Sequence, residues 1–187
     1  MRLALLRFLT IWALATCALG CRSTSIAYRF SPSPLELLVQ ERPGAPIIAR
    51  VLVGIPGAER EGGRSNGMPQ LLVRIRVENK STQTIRFDPS RALVVGSDLA
   101  VFGRARPDRS GVLVVPAGLA ESLLIRFPFP MDGSLEAPLL TGVNLQFVLD
   151  HGDTPVEVSV TLERYEPALL VDTRSSVTFG TGFCYGW

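Results

Sequence analysis

The stretch Gln70–Glu78, QLLVRIRVE, decides the fold class. Leu71, Val73, Ile75 and Val77 share one parity, whereas Leu72, Arg74, Arg76 and Glu78 share the other. A period of two places alternate side chains on opposite faces, so this stretch reads as a strand with one face on a core and the other in water. Such half-buried strands belong to antiparallel sheets. Val156, Val158, Val160 and Leu162 repeat the pattern against Glu157, Ser159, Thr161 and Glu163.

Between and around these two stretches, shorter apolar segments are expected to be strands: Leu35–Gln40, Ile47–Ile55, Thr84–Asp88, Leu93–Val95, Leu99–Phe102, Val112–Val115, Leu119–Phe127 and Val143–Leu149. They are separated by residues that favour turns, as in Asn79-Lys80-Ser81-Thr82, Pro107-Asp108-Arg109-Ser110-Gly111 and His151-Gly152-Asp153. No amphipathic helix of useful length competes, although Leu135–Leu140 is ambiguous between a strand and a short helical turn. The chain therefore reads as an all-β, antiparallel β-sandwich of about seven to nine strands.

Two runs carry a family likeness. VRIRVENKSTQTIRFDP, Val73–Pro89, turns one strand through Asn79–Thr82 into the next, and VVPAG followed by LAESLLIRFPF covers Val114–Phe129. Together they resemble immunoglobulin-like β-sandwich domains of envelope lipoproteins whose function is unassigned. The resemblance implies a fold and no binding residue; the Cys–Trp–Cys arrangement of antibody domains is missing.

The first 20 residues are of another kind. Arg2 and Arg7 precede an apolar run, Phe8–Leu19, which ends in Ala18-Leu19-Gly20-Cys21. Charge, apolar run and small residues in that order make a secretory signal, and the run is short for a membrane span. Gly20 and Cys21 resemble the lipobox of bacterial lipoprotein precursors, in which the cysteine thiol receives diacylglycerol and the bond before it is cut. The resemblance implies cleavage between Gly20 and Cys21 and lipid on Cys21. Arg22 in place of aspartate implies outer-membrane sorting, with the protein facing the periplasm. Cys17 is the rival site, but Thr16 fits poorly before a cut.

The expected organisation is then a signal peptide over 1–20, a lipidated tether over 21–34, a sandwich over 35–166 with an exposed loop over 56–69, and a C-terminal extension over 167–187. The loop assignment rests on PGAEREGGRSNGMP, whose glycines and polar residues offer little to bury. In the extension, Phe179, Phe183, Tyr185 and Trp187 share one parity and Gly180, Gly182, Cys184 and Gly186 the other. That pattern suits either an added edge strand or an exposed aromatic arm. With Cys17 removed and Cys21 acylated, Cys184 has no partner for an intramolecular disulfide.

Charge and chemistry narrow the function classes. Removal of residues 1–20 takes Arg2 and Arg7 and leaves 17 basic residues against 17 acidic ones, so nothing draws the chain to nucleic acid. No nucleophile elbow, phosphate-binding glycine loop or dinucleotide fingerprint occurs, and His151, the one histidine, reads as a solvated turn residue in DHGD. The expectation is a non-enzymatic protein with no cofactor and no metal. Its partners are the membrane, through Cys21, and an envelope protein or polymer. Candidate contact residues are Arg104 and Arg106 in GRARPDRSG and the terminal aromatics Phe179, Phe183, Tyr185 and Trp187; a glycan-binding role is the alternative, and a small hydrolase a remoter one.

Overall fold

The computed structural model describes residues 30–63, 67–130 and 140–164. Eleven strands occupy them: β1 (Phe30–Ser31), β2 (Leu35–Gln40), β3 (Ile47–Arg60), β4 (Pro69–Asn79), β5 (Ile85–Phe87), β6 (Leu93–Gly96), β7 (Arg106–Pro107), β8 (Leu113–Val115), β9 (Ala120–Pro128), β10 (Gly142–His151) and β11 (Thr154–Arg164). Every pairing is antiparallel. One sheet runs β2-β3-β4-β9-β7, and the other runs β1-β11-β10-β5-β8 with β6 also on β10. β1 and β7 have two residues each, which leaves nine strands of three or more, so the all-β sandwich and its strand number follow the sequence pattern.

The alternating apolar residues of β4 and of β11 both turn into the core between the sheets. Leu71, Val73, Ile75 and Val77 are all fully buried, as are Ile85, Phe87, Leu145, Leu149 and Leu162 in the facing sheet. Phe87 and Phe147 pack edge to face, with ring centroids 5.5 Å apart, at the centre of this layer. Phe102 and Phe129 make a second aromatic pair at 5.0 Å. Burying a Leu, Ile, Val or Phe is worth roughly 1.5–3 kcal/mol each, so this double layer is the main source of stability.

Three local expectations change. The loop expected over 56–69 is shorter, because β3 continues through Arg60 and β4 begins at Pro69. A bulge shifts the register between Gly54 and Gly57, where Gly57 takes φ 150. The bulge reverses parity, so that Ala58 is buried and the run loses the alternation by which it would read as a strand. Leu99–Phe102 is not a strand; Val101 makes one isolated bridge to Val95. Pro107, expected to open the turn Pro107–Gly111, instead pairs with Ile125 as the second residue of the short edge strand β7 on β9. Leu135–Leu140 lies outside the described residues except for Leu140, which is buried in the core.

Candidate functional site

Cys21 and Gly20, and the aromatic residues Phe179, Phe183, Tyr185 and Trp187, lie outside the described residues. Arg104 and Arg106 are described. Both are exposed, with Ala105 buried between them. They do not form one basic patch. Arg106 stands opposite Arg126 across the β7–β9 pair and gives its Nη1 to Glu61 Oε1 at 2.6 Å, while Arg126 Nε binds Glu59 Oε1 at 2.7 Å. Arg104 instead contributes charge near Asp88. The Ser90 hydroxyl donates to that carboxylate and holds it below the usual range, helped by the Ser90 N–H and the charges of Arg91 and Arg104.

The outer face of the β2-β3-β4-β9-β7 sheet is a lattice of such pairs. Arg50 forks onto Glu36 through Nε and Nη2, both at 2.8 Å, and Glu78 receives Lys80 at 3.2 Å and Arg76 at 3.2 Å. The Arg50 hydrogen bond draws the Glu36 carboxyl below its ordinary value, and the Lys80 hydrogen bond does the same for Glu78. Arg74 is exposed at the middle of β4 with no partner among the described residues. Cross-strand neighbours thus consume most of the positive charge that a polyanion would need.

One polar cluster could not be anticipated from spacing. His151 is 8% exposed, not solvated, at the β10–β11 turn. Its Nδ1 lies 2.5 Å from Glu41 Oε1 in the β2–β3 connection, and its Nε2 lies 2.9 Å from Ser81 Oγ in the β4–β5 connection. Asn79, 1% exposed at the end of β4, completes the cluster. Its amide donates to the carbonyls of Gln83 at 2.7 Å and Val115 at 2.9 Å, and its Oδ1 accepts from the N–H and Oγ of Ser81.

A serine, a histidine and a carboxylate in line invite comparison with acyl-transfer chemistry. The surroundings of Ser81 oppose it. Its Oγ already has Asn79 Oδ1 at 2.8 Å, the Gln83 carbonyl at 3.0 Å and the Gln83 N–H at 3.2 Å, besides His151. Four neighbours fill the positions around a hydroxyl that has one proton and two lone pairs, so none is directed at a substrate. The cluster ties three connections from both sheets together. Among the described residues no three His, Cys, Asp or Glu side chains converge as metal ligands. A solvent-open cavity of about 260 Å³, lined by Arg109, Gly111, Val112, Val114, Glu121 and Leu123, falls below the usual ligand-site range of roughly 300–1,000 Å³.

The features best suited to contact are apolar and peripheral. At the turn after β6, Leu99 is 82% exposed and takes φ 66, a left-handed conformation that a leucine adopts at a cost of roughly 1–2 kcal/mol. The turn is held by Leu99 N to Gly96 O and Gly96 N to Ala100 O, both at 2.9 Å, and by Ala100 N to Asp98 Oδ1 at 3.1 Å. Val101, two residues on and bridged to Val95, is exposed as well, and so is Leu93 at the start of β6. Sequence periodicity pointed to a strand here, and nothing in it marks the left-handed leucine.

No protein-family model matches the chain, and no curated protein matches it. Among solved structures, it is similar to the FixG-related protein from Vibrio parahaemolyticus over 64% of this chain and 98% of that one, at 15% identity and a TM-score of 0.37. A likeness of that degree carries no argument about fold or function.

Proposed function

We propose that the protein is a lipid-anchored envelope protein whose immunoglobulin-like sandwich acts as a protein-interaction or assembly module. The N-terminal pattern ending in Gly20-Cys21 supports the anchor, with lipid on Cys21 and the domain facing the periplasm from the outer membrane. The observation that carries the interaction role is Leu99. Its side chain neither packs into the core nor suits its own backbone, and Val101, two residues on, is exposed as well. A residue strained and exposed at once contributes little to the fold, and contact with another molecule accounts for it.

The test is site-specific photo-crosslinking in the envelope. A crosslinking amino acid at Leu99 is expected to give a discrete adduct, the same group at exposed Arg86 to give none, and Leu99→Asn with Val101→Thr to abolish assembly without loss of stability. Equal adducts from both positions, or none from Leu99, refutes the interaction role. Mass measurement of the N-terminus tests the anchor separately, since an unmodified Met1 sinks it.

A further inference from the structure

We propose that segment 177–184 of this chain adds to the open edge of β11 as an antiparallel strand, with Phe179 and Phe183 turned into the core. The inference goes beyond the proposed function and needs neither the lipid anchor nor a contact at Leu99.

β10 covers one edge of β11 along its length, from Gly142 opposite Glu163 to His151 opposite Thr154. On the other edge β1 reaches only Glu163 and Arg164. The chain then leaves this sheet at once: Ser33 approaches Gly54 of β3, and Leu35 pairs with Val53. Two contacts fix the hydrogen-bond parity of what remains. Arg164 N donates to Thr141 O at 2.7 Å, and Ser97 N on the far side of β10 donates to Gly142 O at 3.0 Å. In an antiparallel ladder successive residues point their backbone groups to alternate sides. Val156, Val158, Val160 and Leu162 therefore turn toward β10. Glu157, Ser159 and Thr161 turn outward, and among the described residues no strand lies opposite them.

The same margin is incompletely covered inside. β2 ends the other sheet and lies against β11. Its Leu35 and Leu37 are half-buried against the core, and Val156, Val158 and Val160 retain 7%, 8% and 5% exposure, whereas Leu145 and Leu149 one strand inward have none. The inward side chains of one more strand would cover this edge of the core, so its occupant must be apolar on one face.

Segment 177–184 has that pattern and is within reach. Directly opposite residues of an antiparallel pair point to the same face. With Gly180 opposite Ser159, Phe179 stands opposite Val160, Thr181 opposite Val158 and Phe183 opposite Val156. Thr178 and Gly182 then meet Thr161 and Glu157, and these two pairs with Gly180 and Ser159 make the backbone hydrogen bonds. On the outer face the glycines add no side chain beside the ladder in which Asn144 donates to Ser159 Oγ at 3.2 Å and Thr161 Oγ1 at 3.1 Å. The strand starts opposite Thr161, and β1 starts at Glu163, so they occupy successive stretches of the edge; Pro155, which has no N–H, ends the ladder. From Arg164 the start lies roughly 10 Å back and 5 Å across, and residues 165–176 extend to roughly 40 Å, enough to pass round β1. The chain before β1 is not so placed, because β1 runs from Arg164 toward Glu163 and is entered from beyond Arg164.

Hydrogen exchange of the purified full chain, followed by NMR, tests the pairing amide by amide. The N–H groups of Glu157, Ser159 and Thr161 are expected to exchange at least about a hundredfold more slowly than in an unfolded chain. Gly180→Pro, and separately Phe179→Ser with Phe183→Ser, should return all three toward the unfolded rate. Val158 and Val160, whose N–H groups bond to β10, should stay protected in both variants and show that the domain is folded. Cys184→Ser, on the outer face, should change none of them. Three results overturn the proposal: fast exchange at the three amides in the parent, protection that survives both variants, or protection that is lost on dilution, which assigns the added strand to a second copy.

Discussion

Replacing Asn79 with alanine tests the account of how the two sheets are tied at the end that carries His151. The amide makes four hydrogen bonds from a site that is 1% exposed: two donated, to Gln83 O and Val115 O, and two accepted, from Ser81 N and Ser81 Oγ. At a net value of about 1 kcal/mol each, and with the buried Val115 carbonyl left with one partner fewer, Asn79→Ala is expected to cost about 3–5 kcal/mol. That is a large share of the roughly 5–15 kcal/mol typical of a domain and lowers the melting temperature by about 10 °C or more. Urea unfolding of the purified protein measures it. Ser81→Ala alone should cost about 1 kcal/mol, and the double variant should fall short of the sum, because Asn79 anchors the hydroxyl that Ser81→Ala removes. Asn79→Asp adds a discriminating arm. It keeps the shape but turns two donors into acceptors facing carbonyls, which favours the protonated acid and raises its folded-state pKa. A group raised in the folded state contributes most at low pH, so the deficit of Asn79→Asp should shrink as pH falls through that pKa. An Asn79→Ala variant within about 0.5 kcal/mol of the parent, or strict additivity with Ser81→Ala, refutes the reasoning.

Other expectations follow from single contacts. Leu99→Asn relieves a left-handed leucine and should raise stability by roughly 0.5–1 kcal/mol; a lower melting temperature contradicts the strain. Gly67→Ala should destabilise the β3–β4 connection by roughly 1–3 kcal/mol, because the added Cβ would collide with the Glu61 backbone where Glu61 N donates to Met68 O; an unchanged unfolding midpoint speaks against it. Carboxyl NMR titration should find Glu36 and Glu78 both below their ordinary range, and Arg50→Gln should return Glu36 upward while Lys80 still holds Glu78 down. Both carboxylates are depressed in the folded state, so whatever stability they lend is present above their unfolded pKa and lost as pH falls through the folded one. Equal recovery of the two glutamates after Arg50→Gln assigns the causes differently.

Most strands were legible because an inner face of valines, leucines and isoleucines against polar residues leaves its period in the chain. β4 and β11 are the clearest cases, and Leu35–Gln40 is a strand as the pattern expects. The period fails where geometry breaks it: the bulge at Gly54–Gly57 inverts parity and made Pro56–Arg60 read as loop. A two-residue strand such as Arg106–Pro107 has no period at all, and only its neighbour β9 defines it. Glu41 and Ser81 lie 110 and 70 residues before His151 along the chain, so their meeting is a product of tertiary structure that no local signal foretells. Arg104 and Arg106 were legible as exposed, but the acids that answer them come from other connections, Glu61 from the β3–β4 turn and Asp88 from the segment after β5.

The pairing of β1 with β11 also bears on the order in which the chain can fold. Phe30 is 3% exposed and joins the core beside a strand that ends at Arg164, so the first described strand closes on the last. The β2–β3–β4 meander can assemble as soon as its residues leave a ribosome or a membrane pore, since each strand follows its neighbour in sequence. Its apolar face then has nothing to pack on. β5 cannot take its place beside β10 until residues beyond 140 have emerged, and β1 stays unpaired until Arg164 has done so. A chain threaded from its N-terminus therefore remains unlocked, and passable through a narrow pore, until almost all of this domain is on the far side.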